Sequence, residues 1–123
     1  MAVRCLIVDD DDGFADVACD LLRREQIDVV GVAANSAGAL RLMVSARPDV
    51  MLIDVNLGDE SGFDLVEAIS GVAGRPILIL ISTYRLDDYI DLPVPGAVAF
   101  VRKSELSGTA IRRILVDAGQ SPG

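Results

Sequence analysis

Short apolar runs punctuate the chain, and helical patterns fill the gaps between them. The runs are "VRCLIV" (3–8), "DVVGVA" (28–33), "VMLI" (50–53), "ILILI" (77–81) and "AVAFV" (97–101). They are rich in β-branched residues, and several are apolar throughout, the pattern of strands buried on both faces. After the first run, Phe14, Val17, Ala18, Leu21 and Leu22 recur at the spacing of one helix face. Leu40, Met43 and Val44 repeat that spacing behind the capping candidates Asn35 and Ser36. Leu65, Val66 and Ile69 form a third stripe after "GDESG". Ile111, Ile114 and Leu115 form another, in a helix expected to open near Ser104 or Ser107. A helix between Leu86 and Leu92 is also expected, ended early by Pro93 and Pro95.

Alternating strand and helix signals imply an α/β fold in which helices cover both faces of a parallel sheet. Five such units in 123 residues predict a (βα)5 flavodoxin-like, doubly wound sheet with strand order 2-1-3-4-5. Residues 1–118 are expected to form one domain. Residues 119–123 belong to the linker-like "AGQSPG", read as a disordered tail or the start of a connection.

Composition narrows the function. Apolar residues make up 51% of the chain and charged residues 24%, which reads as globular and cytoplasmic. The net charge of −8 argues against a nucleic-acid surface in this domain, because phosphate contacts need clustered Lys and Arg. No signal peptide is evident, and "ILILI" is too short to span a membrane. Cys5 and Cys19 fit no metal motif and read as buried, reduced packing residues. The chain has no histidine, so histidine-based acid–base catalysis and histidine metal ligands are excluded.

In a sheet of this order, ligands bind beyond the carboxyl ends of the strands. There the first polar residues are Asp9 and Asp10, Asp54, Ser82 and Thr83, and Arg102 and Lys103, while the edge strand ends in Ala33 and Ala34. Three carboxylates, a hydroxyl and an ammonium therefore converge on one crevice. Three close carboxylates suit a hard divalent cation such as magnesium. An ammonium and a hydroxyl beside it suit a phosphoryl group. Asp11 and Asp12 fit the start of the first helix, where negative charge meets the positive end of the dipole.

These residues, in "LIVDDDDGF", "VMLIDVNLGDESGFDL", "PILILIST" and "AFVRKSEL", closely resemble the receiver domain of two-component response regulators over about residues 3–118. The resemblance implies that Asp54 is the phosphoacceptor. It implies that Asp10, Asp54 and the Asn56 carbonyl bind Mg2+, with Asp9 acting largely through a metal-bound water. Ser82 stands where the family's phosphoryl-binding hydroxyl lies, Lys103 at its lysine, and Phe100 at its switch aromatic. Asn56 and Tyr84 occupy the positions that tune dephosphorylation. The implied donor is a sensor histidine kinase or a phosphotransfer protein, and the implied target is an output domain or effector protein. The face formed by helix four, strand five and helix five would change partners or pair two copies of the chain. Such a domain is no conventional enzyme; it catalyses its own phosphorylation and slow dephosphorylation. "DVNLGDESGFDL" and "KSELSG" look most like receivers with a helix-turn-helix output. Departures are Ser104 in place of the usual proline, for which a trans peptide is expected, and a loop after Asp54 without proline.

Two rival readings remain at this point. "DDDDG" offers Asp10-x-Asp12-Gly13, the nucleophile pattern of a haloacid-dehalogenase-like phosphatase with Asp10 as nucleophile, although Phe14 stands where that family has threonine. A degenerate receiver acting only as a docking module is the other.

Overall fold

The computed structural model describes residues 2–83 and 97–119. The chain runs β1 (Arg4–Val8), α1 (Asp12–Arg24), β2 (Asp28–Ala33), α2 (Ser36–Ala46), β3 (Val50–Asp54), β4 (Asn56–Leu57), β5 (Glu60–Ser61), α3 (Gly62–Ser70), β6 (Ile77–Ser82), β7 (Ala97–Arg102) and α4 (Gly108–Asp117). A 3-10 turn, Lys103–Glu105, joins β7 to α4. The helix expected between Leu86 and Leu92, and Tyr84, lie outside the described residues.

Five strands form one sheet in the order β2-β1-β3-β6-β7, and every neighbouring pair is parallel. Without the small antiparallel β4–β5 hairpin, this is the expected order 2-1-3-4-5. The central strands are apolar because both their faces are covered: all five residues of β3 are buried, as are Cys5 to Val8 of β1. One core joins Cys5, Ile7, Leu52 and Ile79 to Ala18 and Leu22 of α1 and Ile111 and Leu115 of α4. The other joins Leu6, Met51, Ile53 and Leu80 to Ala39 of α2 and Leu65, Val66 and Ile69 of α3. The fold is therefore doubly wound.

Two helices turn a different face inward from the one their apolar spacing suggests. In α1 the buried residues are Ala15, Ala18, Cys19 and Leu22, and Val17 is exposed. Small side chains let α1 approach the sheet closely, and the larger Val17 points to solvent. In α2, Ala39 is buried, Leu42 and Met43 pack on the core, and Leu40 and Val44 are 38% and 71% exposed. The cause lies in β2. A Cβ on Gly31 would stand 3.2 Å from Leu42 Cδ1, so the missing side chain there admits Leu42 and sets the rotation of the helix.

The caps agree better with expectation. The side chains of Asp11, Asn35, Ser61 and Ser107 accept from backbone N–H groups of α1, α2, α3 and α4. Both cysteines are free and buried, and burial pushes both thiols above their ordinary pKa. No helix among the described residues is long and apolar enough to cross a membrane.

Candidate functional site

Four adjacent strands deliver the site residues at their carboxyl ends. Asp9 follows β1, and its N–H donates to Ala33 O of the edge strand at 2.9 Å. The edge strand, which gives the site no side chain, thus anchors the first carboxylate through its backbone. Asp9 Oδ1 accepts from Asp11 N at 2.9 Å, a local turn that turns the chain toward α1. Asp10 stays exposed at the rim, Asp11 caps α1, and Asp12 lies in its first turn. The four consecutive aspartates therefore do different work.

Asp54 is the last residue of β3, and its Oδ1 accepts from Asn56 N at 3.1 Å. Asn56 opens the β4–β5 hairpin, which returns the chain to Gly62 at the start of α3. Gly62 N donates to Val55 O at 2.9 Å, so α3 begins directly against the end of β3. Ser82 is the last residue of β6 and is buried. Lys103, the chain's single lysine, opens the 3-10 turn after β7. The Lys103–Ser104 peptide is trans, as expected.

Lys103 closes the constellation. Its Nζ stands 2.8 Å from Asp9 Oδ2 and 2.9 Å from Asp54 Oδ2, and its side chain is only 13% exposed. Burial works against the ammonium, but the two carboxylates outweigh it and hold the Lys103 pKa above the ordinary lysine value. Burial pushes the Asp9 carboxyl above the usual carboxylate range. The Asp54 charge adds to this, and the Lys103 ammonium and Asp11 N–H offset it only in part.

One oxygen from each of Asp9, Asp10 and Asp54 can be chosen so that all lie within 4.8 Å of one another. Asp9 Oδ2 is buried, and the ammonium at 2.8 Å uses only part of its accepting capacity. A buried acceptor with unused capacity beside two further carboxylates fits a hard, oxygen-seeking divalent cation. The rim is kept open by Gly58, which has φ +71°; a Cβ there would approach Asp10 Oδ2 to 3.1 Å.

The structure thus brings Asp9, Asp10, Asp54 and Lys103 together and places Ser82 at the neighbouring strand end. Asn56 joins through its backbone. Phe100 is half-buried on β7 and packs against the core on the α2–α3 side of the sheet. Two contributors escape sequence reasoning. Phe14 reads as one member of a helix stripe, yet Lys103 Nζ stands 4.4 Å from its ring centroid. Gly62 has no local signal beyond its place in "DESG".

A parallel sheet of this order, with acidic residues at the ends of its central strands β1 and β3 and a lysine directly after the edge strand β7, defines a receiver-type α/β domain. Residues 5–114 match the family model described as the response regulator receiver domain, and the chain belongs to that family. It is similar to the DNA-binding transcriptional activator DevR/DosR of Mycobacterium tuberculosis, with 33% identity over 95% of this chain and 54% of the relative. It also resembles protein-glutamate methylesterase/protein-glutamine glutaminase 4 of Hahella chejuensis, with 33% identity over 95% of this chain and 32% of the relative. The chain therefore spans about half and about a third of these two proteins. Among solved structures, the signal receiver domain of the response regulator NarL from M. tuberculosis superposes with a TM-score of 0.74 at 26% identity, covering 95% of each chain. The response regulator domain of Thermotoga maritima CheB shares the fold, with a TM-score of 0.79 at 21% identity over 99% of this chain and 100% of that one.

Proposed function

We propose that Asp54 accepts a phosphoryl group from a phosphohistidine on a partner kinase or phosphotransfer protein. The observation that carries this reading is the Lys103 ammonium held between Asp9 and Asp54 in a buried crevice. An Asp54 carboxylate oxygen attacks phosphorus, the new O–P bond forms as the donor's N–P bond breaks, and the departing imidazole takes up a proton. The Lys103 ammonium already faces the nucleophile and can follow negative charge onto the transferring oxygens. The Ser82 hydroxyl supplies a donor from the next strand. Asp9, Asp10 and Asp54, with the Asn56 carbonyl, would hold Mg2+, which supplies further charge neutralisation when bound. The donor histidine lies outside these 123 residues, which contain none.

In this reading the phosphorylated state is communicated by Ser82 and Phe100 to a face that includes β7, and that face engages an output domain, an effector or a second copy of the chain. Its relatives differ in output: the name of one records DNA binding, that of another methylesterase and glutaminase activity. The reaction would run in the cytoplasm. Asn56 and Tyr84 would set how fast water reaches the phosphoryl group.

The phosphatase alternative is less well supported. Asp10 is exposed and, among the described residues, forms no ion pair, and Asp12 is committed to the first turn of α1. The deciding experiment is incubation with magnesium and a small acyl phosphate, followed by intact-mass analysis and peptide mapping. Label should appear on Asp54, vanish in Asp54→Asn and require the metal. Label on Asp10, undiminished labelling of Asp54→Asn, or indifference to chelator would overturn the reading.

A further inference from the structure

We propose that the Phe14 ring is a positioning element for Lys103, holding the ammonium over the crevice while its carboxylate partner is exchanged for a phosphoryl oxygen. This rests on the phosphoacceptor reading of Asp54 and adds a residue to it.

The geometry has three parts. First, the base of the ring is fixed. Phe14 N donates to the Asp11 cap at 3.2 Å, and the side chain packs against the core shared by α1 and α4. Second, the ammonium has three N–H groups. Asp9 and Asp54 lie against it at 2.8 and 2.9 Å, and the ring stands 4.4 Å away, centroid to Nζ. An aromatic face at that distance attracts a cation, more strongly when both are shielded from water. Third, the ring carries no net charge. A third carboxylate there would hold the lysine but would also compete for the metal and repel an incoming phosphoryl group.

Transfer makes this matter. Once Asp54 becomes an acyl phosphate, one carboxylate oxygen joins phosphorus and the Lys103 contact with Asp54 must give way to one with a phosphoryl oxygen. A lysine has a long flexible stem and gains rotamer freedom whenever it is released. Asp9 and Phe14 are the partners that need not change. The ring therefore keeps Nζ from swinging out to bulk water as Asp54 reacts.

Because Lys103 is the only lysine, selectively labelled lysine gives a single side-chain signal in magnetic resonance. The test compares wild type, Phe14→Leu and Phe14→Tyr in two measurements. Lys103 ε-proton resonances should be displaced upfield by the ring in wild type and in Phe14→Tyr, with and without magnesium and a beryllofluoride phosphoryl mimic, and should move to the ordinary position in Phe14→Leu. Asp54 labelling by a small acyl phosphate at saturating magnesium should slow about fivefold to tenfold in Phe14→Leu, a tenfold change being about 1.4 kcal/mol. It should stay within about twofold of wild type in Phe14→Tyr, and magnesium affinity should be unchanged in both. Equal labelling rates in wild type and Phe14→Leu, or a Phe14→Tyr protein as slow as Phe14→Leu, would overturn the proposal while leaving Asp54 as the acceptor. Wild type that takes no label at all would overturn both.

Discussion

Gly62 lies so close to Asp54 that a methyl group on it would sit 2.0 Å from the Asp54 carbonyl oxygen and 2.8 Å from its carbonyl carbon. The neighbour is backbone, so no side chain can rotate away to make room. Gly62 opens α3 and its φ lies outside the left-handed region, so the requirement is for space rather than for a left-handed conformation. Overpacking of this kind usually costs about 1–3 kcal/mol, and an unyielding backbone puts Gly62→Ala at or above the upper end. The strand end carrying Asp54 must also shift. Denaturant unfolding of Gly62→Ala should show this loss, and acyl-phosphate labelling should slow with it. A stability loss under about 0.5 kcal/mol would mean that α3 slides freely relative to β3.

Asp10 and Asp11 are neighbours with separable functions. Asp11 caps α1, and replacing such a cap by alanine costs about 0.5–2 kcal/mol. Asp10 has a carboxylate oxygen within reach of those of Asp9 and Asp54. Asp11→Ala should therefore lower stability and leave magnesium affinity nearly intact, while Asp10→Asn should weaken magnesium binding with little loss of fold. Calorimetric titration beside thermal unfolding of the two variants checks this. Similar losses of affinity in both would mean that the aspartate run attracts cations as a diffuse patch.

The strand order and the site were legible for one reason. Strands buried on both faces must be apolar, so the first polar residue after each run marks the crevice. Asp9, Asp54 and Ser82 follow from that rule alone; after the last run it offers Arg102 first, and the family resemblance is what selects Lys103. The faces of α1 and α2 were not legible, because apolar spacing highlights large residues such as Val17 and Val44, whereas packing selects Ala15, Ala39 and the fit of Leu42 over Gly31. Gly62 and Phe14 were hidden for a related reason. Their constraints come from Asp54 and Lys103, which are distant in sequence, and no local pattern records them.

Lys103 gives the domain a defined sensitivity to alkali. Its folded pKa is raised above the ordinary value, so the protonated form is favoured by folding. That contribution is fully present below the unfolded value of about 10.4 and is lost as pH rises through the folded value. Lys103→Met keeps the stem and removes the titration. In metal-free buffer, wild type should be the more stable at about pH 8, and its advantage should shrink above about pH 10.4. The buried thiols are present in both proteins, so their effect cancels in the difference. A gap between the two thermal midpoints that stays constant from neutral to strongly alkaline pH would show that the ammonium adds nothing to folding.

The three carboxylates of the crevice share one ammonium, so without metal the site holds uncompensated negative charge. Asp54 and Asp9 each touch Lys103, whereas Asp10 is exposed and forms no ion pair among the described residues. Neutralising Asp10 therefore removes repulsion and sacrifices no ion pair. Asp54→Asn relieves repulsion too but strips Lys103 of a charged partner in a buried place, so its gain must be smaller. In chelator the thermal midpoint should rise most for Asp10→Asn. Repulsion between charges about 4 Å apart lies near 1 kcal/mol in water and about 4 at an effective dielectric of 20. Asp10 is at the rim, so the lower figure applies, and about 1 kcal/mol moves the midpoint of a domain of 60–100 residues by about 4–8 °C, slightly less for a longer one. Saturating magnesium should erase the difference, because wild type then gains binding energy that Asp10→Asn forgoes. A midpoint that falls for Asp10→Asn in chelator would show that its carboxylate is held by protein donors, and the account of the crevice as a site strained by its own charge would fail.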